Sequence, residues 1–215
     1  MREDTDRMIE RLAREAAPVK ALASPWVRAG AFLALVLVAM GTLAALGGHV
    51  AATFDAIASG PFAAELLGAL VAGVSSVVAA VMLSIPGRSP NWFYLPLPGL
   101  ALWLIGGAVG CYRQVAQLGY QPTSIFDSKD CFFFILSAGL PTAVAAYFLV
   151  RRSLSVDVMR VLALAGLGAA LLAATLLQFV HAHGTNPVDF ATHVVAVTLI
   201  ALAAMASSGI ESRRR

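Results

Sequence analysis

Polar and apolar positions along this chain separate into blocks rather than alternating with the period of a strand or an amphipathic helix. Six apolar runs occupy roughly 27–48, 63–85, 93–111, 131–150, 161–181 and 190–209. Each has about the 20 residues that a helix needs to cross roughly 30 Å of hydrocarbon. The runs lack the polar face that surface helices of a soluble core would carry. The pattern therefore predicts an all-α, polytopic transmembrane bundle of six spans. Pro96 and Pro98 stand near the entrance of the third run, where the missing N–H would be unpaired in any case. Pro141 lies inside the fourth and is expected to kink it. Gly73 with Ser75 and Ser76, and Gly106 with Gly107, are small residues suited to close helix contact. Glu65 falls near the outer end of the second run and is expected to reach the interface.

The first 25 residues are of another kind. Met8, Ile9, Leu12 and Ala16 form a narrow apolar stripe at helical spacing. Asp4 or Thr5 can cap the helix, Glu3–Arg7 and Glu10–Arg14 are i,i+4 pairs in the favourable order, and Pro18 closes it. A free helix this short is marginal in water, so it is expected to lie on a membrane or fold into a groove on a partner. The organisation read from this is a cytoplasmic helix and linker over 1–25, a transmembrane domain over 26–210 and a basic tail over 211–215.

Composition agrees with the pattern. The chain is 59% hydrophobic and 13% charged, against about half and about a quarter for soluble domains. Its mean hydropathy is +0.80. Charge supplies orientation. With the N-terminus inside, thirteen of the fifteen lysines and arginines fall in inner segments. Only Arg113 and Lys129 fall outside. The excess of inner positive charge predicts that both termini are cytoplasmic. The net charge of +3 needs no nucleic acid to explain it, because the basic loops flank anionic lipid.

On that topology the soft and switchable side chains gather outside: Cys111, Cys131, His49, His181, His183 and His193. Cys111 ends the third run and Cys131 begins the fourth, with 19 residues between them. A short connection between antiparallel neighbours brings such ends close, and a disulfide is geometrically possible if the Cα atoms approach within about 7 Å. The alternative is a pair of small buried thiols packed as apolar residues. Cys131 with His181 and His183 could instead supply N and S ligands for Zn²⁺ or a similar ion, with His193 nearby. An i,i+2 pair does not share a helix face, so the helix must end first, which Gly184, Thr185, Asn186 and Pro187 favour. Plain interfacial histidines, and a pH-sensing role, are the other readings.

No chain of Asp, Glu or Arg crosses the bilayer midplane, which counts against a proton-coupled pump or a small-solute transporter. The phosphate-loop, nucleophile-elbow and zinc-protease signatures are missing from the sequence, as is any C-x-x-C. A membrane thiol–disulfide exchange enzyme fits the outer cysteines, but such enzymes use closely spaced pairs. No resident cofactor is expected beyond a regulatory metal ion such as zinc.

The stretch TDRMIERLAREAAPVKALASPWVRA resembles the start of the NrsF-type negative regulators of extracytoplasmic-function (ECF) sigma factors. There a short helix precedes a PV..L..P..R pattern, held here by Pro18, Val19, Leu22, Pro25 and Arg28. CFFFILSAGLP, with Cys131, Gly139 and Pro141, is similar to that family's fourth span. HAHGTNPVDFATH is similar to its loop before the sixth, although His181, Ala182 and His183 stand where the family places a cysteine. The resemblance implies a non-enzymatic anti-sigma factor of a bacterial inner membrane. Its cytoplasmic N-terminal region, here Met8, Ile9, Leu12, Ala16, Pro18 and Val19, would hold an ECF sigma factor. Oxidant or heavy metal acting on outward-facing cysteines would release it. Cys111 is a replacement partner for Cys131, the site has become a Cys/His metal site, or this member senses something else. The two-cysteine mechanism does not carry over unchanged.

Overall fold

The computed structural model describes residues 2–15, 22–47, 49–58, 60–119, 129–153, 157–180 and 186–209. All regular structure among them is helical: α1 (Arg2–Glu15), α2 (Pro25–Gly47), α3 (Val50–Ile57), α4 (Pro61–Leu83), a 3₁₀ turn (Pro90–Tyr94), α5 (Leu97–Leu118), α6 (Lys129–Val150), α7 (Val158–Val180) and α8 (Pro187–Ala206). Six of these segments are long and apolar enough to cross a membrane: α2, α4, the turn with α5, α6, α7 and α8.

α7 is the hub. It packs against α4, α6 and α8 most extensively and also touches α2 and α3. Most of its length is buried. Its composition explains the position, because eight of its 23 residues are Gly or Ala, spread over several faces. Between apolar helices in lipid, association depends on close packing rather than on hydrophobic transfer, and small residues permit it. Gly168 approaches Val77 and Gly73 of α4, and Gly166 approaches Ile200 and Ala204 of α8.

α4 and α5 form the tightest pair. A Cβ on Gly68 would lie 2.2 Å from Trp103 N, one on Gly99 2.6 Å from Ala72 N, and one on Gly106 2.5 Å from Glu65 N. One index falls as the other rises, which is the register of antiparallel helices. α2 leans on the outside, burying Ala29, Phe32, Leu33 and Ala44 only.

Several expectations are corrected. α5 runs to Leu118, so Cys111 lies about 10 Å of helix inside its end rather than at it. The connection after α2 contains the short helix α3. α1 begins at Arg2, which places Asp4 and Thr5 within the helix instead of at its cap. Arg14 donates to Glu10 at 2.6 Å as expected, and Arg11–Glu15 adds a second pair at 2.9 Å.

Candidate functional site

The bundle has two chemically different ends. At one, Arg28 on α2 donates to the Leu149 carbonyl of α6, and Ser84 Oγ after α4 donates to Ser153 Oγ after α6 at 3.0 Å. Arg160 on α7 stacks over Phe93 there. At the other end stand the thiols, a buried carboxyl and a buried histidine.

Cys131 opens α6 and is 1% exposed. It sits among Ile135, Ala174, Leu177, Ala196 and Val197, walled by α7 and α8. Cys111 on α5 is half-buried, and neither cysteine is in a disulfide. α5 packs on α4 and α8, whereas α6 packs on α7 and α8. The two cysteine-bearing helices are therefore not principal neighbours, contrary to the expectation from the short connection; α8 contributes the surface they share. Asp189, in the first turn of α8, acts electrostatically on both thiols. Asn186 caps that helix, accepting from Val188 N at 2.9 Å, and Pro187 starts it. One turn on from Asp189, His193 is 4% exposed. The ring of Phe190 covers Gly107 of α5 and meets Trp103 edge-to-face at 5.8 Å.

Glu65 was expected at the interface and is instead buried, at 3% exposure. Gln178 Nε2 on α7 donates to Glu65 Oε1 at 3.2 Å, and Thr53 Oγ1 on α3 donates to the Gln178 carbonyl at 2.7 Å. This polar node ties α3, α4 and α7 together. The absent side chain at Gly106 lets α5 close over the Glu65 backbone. Glu65 also acts electrostatically on Cys111. Among the described residues Glu65 Oε2 has no hydrogen-bond partner, nor has Gln114 Oε1, one helical turn past Cys111. The sequence carried a signal for this node: Glu65 near the start of α4 and Gln178 near the end of α7 lie at matching depths, at the same end of the bundle.

His181 and His183 lie outside the described residues, as do Ala16, Pro18 and Val19. Among the described residues no group of three His, Cys, Asp or Glu side chains comes together to hold a metal ion. On α1, residues 4–15 are exposed throughout. Met8, Ile9 and Leu12 keep 65%, 59% and 61% of their surface open.

The fold and its two ends define a class: a multi-span helical bundle with an exposed N-terminal helix and, at one end, a cysteine enclosed by packed helices. Comparison with family models identifies it further. The chain belongs to the NrsF family, negative regulators of sigma F, whose model matches residues 12–212. No curated protein and no solved structure matched the chain.

Proposed function

We propose that this protein is a multi-pass inner-membrane anti-sigma factor. It holds an ECF sigma factor on the cytoplasmic helix α1 and releases it when oxidant or metal reaches the thiol end. It turns over no substrate. The observation that carries the reading, beyond family membership, is the apolar stripe of Met8, Ile9 and Leu12 left open on α1. A marginal helix with an uncovered stripe gains its stability from a groove on a partner. The thirteen basic residues on α1's side of the membrane support a cytoplasmic location for it.

Cys131 is packed as a small buried thiol among apolar residues, so the sensing half of the proposal requires that enclosure to open first. A thiol at 1% exposure among close-packed side chains has no room for added oxygen or a coordinated ion. Reaction there requires α6, α7 and α8 to repack, so chemistry and conformation are coupled. Taking the sigma factor from 99% held to 99% free requires about 5.5 kcal/mol of difference between the two packings. A disulfide, at up to about 5 kcal/mol, or a metal bond, at more, is of that order. His193 and Cys111 belong to the same sensing end, and His181 and His183 are proposed as further ligands should the stimulus be a metal.

Capture from solubilised membranes tests the partner. The full chain should retain a sigma factor, and a chain lacking residues 1–24 should not. Retention by neither form would sink the anti-sigma reading. Cys131→Ser should hold one signalling state under oxidant; induction like that of the unsubstituted protein would remove Cys131 from the mechanism.

A further inference from the structure

The arginine end contains a second site. Arg28, Arg151 and Arg152 line a cavity with Leu22, Phe148 and Leu149. Arg11–Glu15, Arg14–Glu10 and Arg160–Asp157 pair elsewhere, and no acidic side chain is among the residues lining this cavity. None of the three cavity arginines is therefore matched by a carboxylate there. Arg28 uses one N–H on the Leu149 carbonyl, and a guanidinium has five. Below the cavity, an apolar groove of about 420 Å³ runs between α6, α7 and α8, past Leu140, Val144, Tyr147, Phe148 and Ile200. Phe148 lines both spaces. The Arg151 guanidinium stands 5.0 Å from the Phe148 ring and 5.9 Å from the Tyr147 ring, at the mouth of the groove.

We propose that the cavity and the groove form one site for a single anionic phospholipid. The phosphate rests on Arg28, Arg151 and Arg152, and one acyl chain follows the groove past Val144 and Leu140. The chemistry favours a lipid over a soluble anion, because arginines without a carboxylate partner share Phe148 with an adjoining apolar groove. The groove alone would not select, since an acyl chain is equally at home in the bilayer. Selection comes from the arginines, and basic pockets at the ends of membrane helices are suited to anionic headgroups. This inference rests on the six helices spanning a membrane and is independent of the sigma-factor reading.

The test is native mass spectrometry of the full-length protein in detergent. Phosphatidylglycerol, phosphatidylcholine and inorganic phosphate are titrated separately. One phosphatidylglycerol should be retained well below the concentration at which phosphatidylcholine binds. Each arginine contributes roughly fivefold, so Arg151→Ala with Arg152→Ala should weaken the first phosphatidylglycerol by roughly 25-fold and leave phosphatidylcholine unmoved. Arg151→Lys with Arg152→Lys should keep most of the preference. Ala143→Phe fills the groove and should weaken retention without altering charge. Equal uptake of both lipids, retention unchanged by the double alanine variant, or displacement by millimolar phosphate would each overturn the site. Recovery of the chain in the soluble fraction without detergent would instead sink the membrane placement, which is a separate result.

Discussion

Gly68→Ala isolates the α4–α5 contact with a single methyl group. Its Cβ would lie 2.2 Å from Trp103 N, 2.6 Å from Trp103 Cα and 2.8 Å from Leu102 C. All three are backbone atoms, so no side chain can rotate away. Ordinary contact begins at 3.4 Å, and the helices must part by about 1.2 Å to restore it. A gap of that size forfeits a quarter to a half or more of each dispersion contact along the seam. Overpacking of this kind costs about 3 kcal/mol, the upper end of the usual range. For a chain of this length that lowers Tm by roughly 6–12 °C. The matched control is Gly41→Ala on α2, where nothing lies within 4 Å of the new methyl. There the better helix propensity of alanine acts alone and stabilises by at most about 1 kcal/mol. The assay is thermal unfolding of both variants in the same detergent, followed by circular dichroism. If Gly68→Ala melts with Gly41→Ala or above it, the close seam between α4 and α5 is wrong. So then is the argument that Gly106 lets α5 close over Glu65.

Gln178→Ala removes the donor to Glu65 Oε1 and should destabilise by about 1–3 kcal/mol, the cost of an unsatisfied buried acceptor; an unchanged melting curve would show that the node contributes nothing. Leu12→Glu places a charge in the open stripe of α1. Losing a buried leucine at about 1.5–3 kcal/mol should weaken sigma-factor capture roughly tenfold to a hundredfold, read by co-purification, with no change in the thermal stability of the bundle. Maleimide should label Cys111 before Cys131 in the resting protein, because Cys111 is half-buried and Cys131 is 1% exposed; equal rates would mean that α6, α7 and α8 do not enclose Cys131.

Much of the thiol end was readable in the chain, and the unread part shares one cause. The hydrophobic pattern placed Cys131 at the start of α6 and His193 inside α8. Neighbours in sequence were then taken for neighbours in space. α5 and α6 follow one another, yet their main contacts are with α4, α7 and α8. Glu65 was read alone, from its distance to the end of its run. Its burial follows from Gln178, 113 residues later, and from the gap left at Gly106.

The sequence by itself determined the six spans, the exposed amphipathic helix and the two unlike ends, because length, hydropathy and loop charge act locally and need no partner. It could not determine which apolar helix would be central, since every span is uniformly apolar and lipid is as good a neighbour as another helix. The tertiary structure decided that. α7 is central because its small residues accept backbones on several sides at once. That packing encloses Cys131, lets Gln178 reach Glu65, and leaves Arg28 of α2 and the two arginines that follow α6 together at the far end.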